Sequence, residues 1–375
     1  MNSAQRVDAR LTAEDAALLA QQHSAIDAFF DQHIPTDRPV AVLQFPWDAN
    51  VGNHMMWLAI SEHLHRRGVQ IAYAAHQYNF RLNDLTRAVG DGPILFLGGV
   101  TVSRLWPSHS QVKRSVAAAC PGNRLISLPS TMIFVDEDDR REAGEMFGDH
   151  RDVVMMARDP LSAQFAREVF PAAVTVAAVH DSAFRLSPQP LRGSHIHDII
   201  WLARDDKEAT GVRAPSDVHV FDWVDVRRAD HFVADRVYSR LRRTAPVLSP
   251  IANALIGGCY TEMSRYLLHR GNRKLDTGKV LVTDRMHPHV LAALRSQPCV
   301  LLPDRYGKNR AVFEYSSRNY SSVHWADTPQ EALEVARQLV RDPAGRPLGA
   351  ANARGERGAD KLGGATPEIR LNRLG

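Results

Sequence analysis

The chain has 375 residues, 44% hydrophobic and 23% charged. It is too long for one ordinary domain of about 100–200 residues and has apolar material for two cores. The formal charge is +4 and the isoelectric point is near 9.0, which favours a nucleic-acid or membrane-surface partner only if the charge is clustered. Three well-separated cysteines, Cys120, Cys259 and Cys299, exclude a disulfide framework and a CxxC zinc site, and suit a reducing cytosol. No apolar run approaches the ~20 residues of a membrane helix. Acids near the start and no apolar signal core argue against a secretory leader.

In chain order, Thr12 with Asp15 three residues on reads as a capping box. Leu18, Leu19, Ile26, Phe29, Phe30 and Ile34 then recur at helical spacing. This predicts an N-terminal helical extension over 1–39, broken by Pro35 and Pro39. From Val40 the texture changes. Val40–Phe45, Val69–Ala74, Pro93–Leu97, Arg124–Leu128, Val153–Ala157 and Val174–Val179 read as buried strands. His54–Arg67, Gln111–Ala119, Glu137–Phe147 and Leu161–Val169 read as helices between them. Such alternation predicts a parallel sheet covered on both faces.

Ser187-Pro188-Gln189-Pro190 marks a linker. Beyond it, Asp198–Ala203, Val218–Phe221, Lys279–Thr283 and Cys299–Pro303 read as strands. Val226–Arg243, Ile251–His269, His287–Arg295 and Pro329–Arg341 read as helices. The expected fold class is α/β, with two Rossmann-like, doubly wound domains over 40–187 and 188–344. They should face a cleft at the carboxyl ends of their strands. Residues 345–375 are rich in Gly, Ala and Arg, and a flexible basic tail is expected there. Six basic against three acidic residues give that tail +3 and leave the body at +1. The near-neutral body argues against nucleic-acid binding. The tail is a candidate for peripheral contact with an anionic membrane.

The residues able to carry chemistry sit at expected strand ends. Asn50-Val51-Gly52 joins the first strand to a helix. A glycine there admits close backbone approach, and a helix N-terminus favours an anion; a tight turn would need the same residues. Gly98-Gly99, after the third strand, reads the same two ways. Asp159 reads as the N-cap of the next helix, with Arg158 turned to the cleft. His180-Asp181-Ser182 ends the sixth strand.

In the second half, Arg204 ends one strand and Thr283-Asp284-Arg285-Met286-His287 ends another. Two arginines so placed can clamp a small polyanion through bidentate forks. The alternative is a pair of surface ion-pair residues. His287 is the neighbour that titrates near neutral pH. Lys308, in Tyr306-Gly307-Lys308-Asn309, either adds charge to this site or marks a solvated turn. His195-Ile196-His197 has no companion ligands, so no metal is expected. The acids Asp136 to Asp139 read as a helix start. Neither a GxSxG elbow nor a Walker loop occurs.

Read in order, these strand ends resemble the polysaccharide pyruvyltransferase family. The resemblance runs from about Phe45 to Leu339. It is carried by Asn50-Val51-Gly52, Gly98-Gly99 with Leu105-Trp106-Pro107, and Leu128-Pro129-Ser130. Arg158-Asp159-Pro160-Leu161-Ser162, His180-Asp181-Ser182-Ala183-Phe184 and Arg204-x-Asp206-x-Glu208 continue it. Thr283-Asp284-Arg285-Met286-His287 is its strongest block, followed by Pro298 and Tyr306-Gly307-Lys308-Asn309.

The resemblance implies two Rossmann-like domains arranged as in GT-B glycosyltransferases. It implies phosphoenolpyruvate as donor substrate, with no cofactor, and a sugar or lipid-linked oligosaccharide as acceptor in the cytoplasm. Two sugar hydroxyls receive the pyruvyl group as a ketal, and phosphate is released. Donor contacts are implied at Arg204, Arg285 and His287, with a backbone contact at Met286. His287 is then the acid, or the group stabilising the departing phosphate, and Asp181 or Asp48 the base. Asn53, Val100, Thr101 and Ser130 depart from the family's usual residues, all in the first half. Two other readings fit the same architecture: a sugar-nucleotide glycosyltransferase, and a glycan-binding protein without turnover.

Overall fold

The computed structural model describes residues 11–342, apart from Thr101, 193–194, Lys207, 212–213 and 224–248. The expected helix Val226–Arg243 and the 345–375 tail lie outside the described residues. The N-terminal helix forms as α1 (Ala13–His33), and the Thr12 hydroxyl accepts the Asp15 amide at 3.1 Å. Asp15 does not close the capping box. Its buried carboxylate instead accepts the Ser321 amide at 2.9 Å and the Ser321 hydroxyl at 2.6 Å. The helix is therefore tied to the far half of the chain.

The first half is a six-stranded parallel sheet in the order β2-β1-β3-β4-β5-β6. Its strands are β1 (Val40–Leu43), β2 (Ile71–Ala75), β3 (Ile94–Phe96), β4 (Leu125–Ser130), β5 (Val153–Ala157) and β6 (Thr175–Ala178). They alternate with α2 (Val51–Arg66), α3 (Leu82–Val89), α4 (Pro107–Ala119), α5 (Glu137–Gly144) and α6 (Pro160–Val169). β1, β4 and β5 are buried along their whole length, because helices cover both faces. Asp159 caps α6 as expected, accepting the Ser162 amide at 2.7 Å. Asp136 caps α5 through the Asp139 amide at 2.8 Å.

The second half is a five-stranded parallel sheet in the order β11-β10-β9-β7-β8. Its strands are β7 (His197–Leu202), β8 (His219–Phe221), β9 (Gly278–Thr283), β10 (Cys299–Leu301) and β11 (Val323–Trp325). Its helices are α7 (Ser249–Leu275), α8 (Met286–Leu294), α9 (Lys308–Val312) and α10 (Pro329–Arg341). α3, α9 and β11 are not among the expected elements. Eight, five and three residues long, they are too short to show a period.

Counted from its own first strand, each sheet runs 2-1-3-4-5, and the first half adds a sixth strand. The winding reverses between β1 and β3, and again between β7 and β9. Crevices open outside the carboxyl ends of strands at such points. No helix of the described residues is long and apolar enough to cross a membrane.

One apolar cluster joins the inner faces of both halves with α1, α2, α7 and α8; the outer faces keep clusters of their own. α7 belongs to the second half of the chain yet packs on α2 and β2. Tyr260 stacks on Phe45 with centroids 3.8 Å apart, and its hydroxyl accepts from Asn79 Nδ2 at 2.8 Å. Directly after α9, a π-turn (Phe313–Ser317) meets two other helices. The Ser316 carbonyl accepts from Gln22 Nε2 of α1 at 2.6 Å, and the Ser317 hydroxyl lies 3.0 Å from His289 Nε2 of α8.

His289 is fully buried, and burial pushes its pKa from 6.5 down to about 3. Between these values only the unfolded chain takes the proton. Stability therefore falls with falling pH across that window, by about 1.4 kcal/mol per pH unit for this group. His289→Gln should flatten the dependence by that amount between pH 6 and 4.5, as measured by urea unfolding.

Candidate active site

A cleft of about 730 Å³ lies between the two switch points. Gln44, Trp47, Asn50, Gly98, Gly99 and Arg158 line its first wall; Arg204, Asp206, Arg285, Met286, His287 and Lys308 line its second. The strand-end residues of both halves thus meet at one place.

The glycines serve packing more than turns. Gly52 has an ordinary helical backbone, and Asn50 caps the helix by accepting its amide at 3.2 Å. A Cβ on Gly52 would lie 2.3 Å from Cγ and Nδ1 of His287. The glycine is there because a ring from the other half rests on it. A Cβ on Gly98 would lie 2.1 Å from the Pro129 carbonyl oxygen, so β3 and β4 need the space. Gly99 has φ 115°, where side chains are strained.

Behind the first wall, Arg158 donates from Nε to Thr131 Oγ1 at 2.5 Å and pairs with Asp181 Oδ2 at 3.0 Å. Asp181 also accepts the Ala183 amide at 2.9 Å. Burial alone would raise the Asp181 pKa; His287, Arg158 and the Ala183 amide outweigh it and hold the carboxyl well below the usual range. The sequence offers Asp181 as a base for a hydroxyl. Its carboxylate is fully buried and lies 3.6 Å from His287 Nε2. Asp48 does line the cleft, and its Oδ1 accepts the Asn50 amide at 3.1 Å.

The second wall is a network of matched charge. Arg204 donates from Nε to Asp206 at 2.8 Å and pairs with Glu208 at 3.0 Å. Arg285 pairs with Asp222 at 2.6 Å and with the second oxygen of Asp206 at 3.4 Å. Lys308 contacts Glu208, and burial, with the nearby arginines, lowers its pKa well below the ordinary value. Asp284 accepts the Arg204 amide at 2.9 Å, yet burial raises its pKa to about 6. Asp222 and the role of Asp284 escape the sequence reading. Asp222 follows β8 directly, so its strand-end place is the available signal.

Two buried donors at the start of α8 are left over. Arg285 Nε and His287 Nε2 have no hydrogen-bond partner among the described residues. Burial lowers the His287 pKa, and Asp181 only partly restores it. The loop before His287 is rigid: the Thr283 hydroxyl donates to the Leu202 carbonyl at 2.8 Å and accepts the Arg285 amide at 3.1 Å. A helix N-terminus with an unsatisfied guanidinium N–H suits an incoming oxyanion, while His287 Nε2 faces Asp181 at 3.6 Å.

The family model for polysaccharide pyruvyl transferase matches residues 50–304. This chain belongs to that family. It is 21% identical over 302 residues to "Pyruvyl transferase 1" of Schizosaccharomyces pombe, covering 78% of this chain and 73% of that protein. It is 22% identical over 284 residues to "Putative pyruvyl transferase EpsO" of Bacillus subtilis, covering 75% and 86%. A solved protein of uncharacterized function from Klebsiella pneumoniae matches 85% of this chain and 100% of its own, at TM-score 0.48 and 15% identity. The family match spans the Asn50 cap, the Arg158–Asp181 pair and the Arg285–His287 block of this pyruvyl transferase family member.

Gly52→Ala should push the His287 ring from its place and cost about 1–3 kcal/mol of stability. Chemical denaturation and the His287 ring signals in NMR check this. Asp181→Asn should lower the His287 pKa further, because the opposing carboxylate charge is gone. It should also cost about 3–5 kcal/mol by leaving Arg158 unpaired. An NMR titration beside a urea melt reads both.

Proposed function

We propose that this chain transfers the pyruvyl group of phosphoenolpyruvate to two hydroxyls of a sugar, forming a cyclic ketal and releasing phosphate. The observation that carries the reading is the unpartnered Arg285 Nε at the N-terminus of α8, beside Arg204 and the His287 ring. Membership of the pyruvyl transferase family supports it. In this reading the two halves face each other in the GT-B manner, with the donor on the second wall.

Phosphoenolpyruvate carries a carboxylate and a phosphate on a three-carbon frame. Asp206 bridges Arg204 and Arg285, one oxygen to each. A donor carboxylate or phosphate takes over that bridging place. The second anionic group meets Arg285 Nε and the amides that open α8, beside the His287 ring. Protonation of the methylene carbon makes a methyl group and leaves the adjacent carbon electrophilic. One sugar hydroxyl adds there and loses its proton. The bond to the phosphate oxygen breaks, and the second hydroxyl closes the ring. His287 carries the proton to the carbon or to the departing phosphate, a role worth about 10²–10⁴-fold in rate. Arg158 and Asp181 hold its ring in place.

Purified protein with phosphoenolpyruvate and a panel of glycans should release inorganic phosphate. Arg285→Ala should lower that rate by at least about 100-fold, with an unchanged circular dichroism spectrum. Full activity in the variant would sink the donor assignment. A thermal shift with UDP or GDP, and none with phosphoenolpyruvate, would point instead to a sugar-nucleotide enzyme.

Donor charge beside His287 raises its pKa in the complex. Binding should therefore take up a proton and weaken as pH rises through that value. Calorimetry in two buffers of different ionisation enthalpy measures the uptake.

A further inference from the structure

We infer that the first wall of the cleft contains a pyranose subsite, in which Trp47 and Tyr78 hold the apolar face of a neutral sugar ring and the side-chain carbonyls of Gln44 and Gln77 accept its hydroxyls. This deepens the function proposed above and rests on that reading for the sugar's role as acceptor. The binding itself rests on the geometry of this wall.

Gln44 is the first residue after β1, and its φ is 67°. A non-glycine residue in that region is strained, and such strain gathers at functional sites. The side chain is 3% exposed and lines the cleft. Its Nε2 donates to the His109 carbonyl at 3.0 Å, which fixes which way the amide faces. The other end, Oε1, is buried with no hydrogen-bond partner among the described residues. Gln77 also lines the cleft and leaves its Oε1 without a partner. A buried carbonyl without a donor costs stability unless a ligand completes it. Both openings are uncharged acceptors, which match hydroxyl donors. They do not match an anion: Arg158 on this wall is already paired with Asp181, and Arg204, Arg285 and Lys308 stand on the opposite wall.

The neighbouring aromatic rings supply the second observation. Trp47 and Tyr78 both line the cleft, with centroids 5.6 Å apart and planes at 70°, so they form a corner. The buried His76 ring lies 4.4 Å from Trp47 and props it. Tyr78 is 65% exposed at the rim. Aromatic faces beside polar groups suit a ligand with C–H faces and hydroxyl edges. A nucleobase would also stack there, but its edge mixes donors and acceptors, whereas this wall offers two carbonyl acceptors.

The test is saturation-transfer NMR on the full-length protein without phosphoenolpyruvate. Methyl β-D-glucopyranoside, galactopyranoside and mannopyranoside serve separately as probes. Transfer to the ring protons of at least one is expected. Trp47→Ala and Gln44→Ala should each reduce it at least five-fold, while the thermal shift with phosphoenolpyruvate stays as in the wild type. Tyr78→Ala, at an exposed position, gives the same reading should a buried variant fail to fold. Absence of transfer from all three glycosides overturns the inference. So do undiminished transfer in the variants, loss of the phosphoenolpyruvate shift alongside it in folded variants, or transfer to uridine or guanosine in place of the sugars. Glycoside binding in a protein that gives no phosphoenolpyruvate shift would leave the subsite standing and bring down the pyruvyl transfer reading instead.

Discussion

The contact between Asp181 and His287 is the joint on which the site depends. Asp181 belongs to the first half, is buried completely, and is already paired with Arg158. His287 belongs to the second half and reaches to 3.6 Å of it. On its other side the ring rests against Gly52, again from the first half. A residue of one half is thus gripped between two residues of the other. A buried ion pair is weak evidence for stability, since desolvation consumes much of the attraction. Here its effect is positional. Moving the halves apart would leave the Asp181–Arg158 pair intact but withdraw the His287 ring from the cleft. The shared core explains why they stay together: α7 crosses back onto α2, and α1 reaches forward to the π-turn.

The cleft's electrostatics follow from the same economy of burial. Bare arginines inside a protein are costly, and this one has none on its second wall. Asp206, Glu208 and Asp222 already hold Arg204, Arg285 and Lys308. Whole-chain charge is then a poor guide to function. What matters is which oxygens on those cations an incoming anion can replace, and which donors still lack any oxygen. In the proposed reading Asp206 is the one displaced, being the most exposed of the three carboxylates. Donors fixed in a water-poor cleft stabilise developing charge without reorganising, which is where electrostatic catalysis gains most.

Much of this was legible along the chain, for identifiable reasons. Parallel strands buried on both faces are continuous apolar runs, so β1, β4, β5 and β9 stand out. Helix caps are local, and Thr12, Asp136 and Asp159 announce themselves three residues ahead of the amides they hold. Strand-end Arg204, Arg285 and His287 are readable because a parallel sheet gathers ligands at its carboxyl edge. Other features depend on partners far away in the chain. Nothing beside Gly52 says that its neighbour is His287. Nothing in a capping-box pattern says that Asp15 will serve Ser321 instead. The strained backbone of Gln44 and the buried place of Asp181 have no local signature, since each is imposed by what packs around it.

The two sheets share one winding and yet present opposite chemistry at equivalent places. After the first strand of each half stands Gln44 in one and Arg204 in the other. After the third stands Gly98-Gly99 in one and Asp284-Arg285 in the other. The scaffold therefore supplies two crevices of the same kind, and the side chains decide what enters each. A small polyanion needs fixed cations and a helix N-terminus. A neutral sugar needs aromatic faces and uncharged acceptors. Placing both sets in one crevice would set guanidinium groups against amide carbonyls and leave one substrate competing for the other's partners. In the proposed reading, dividing them between two walls, with His287 reaching across from the cationic side and anchored on the neutral side, brings a proton carrier to the boundary where a donor carbon and an acceptor hydroxyl would meet.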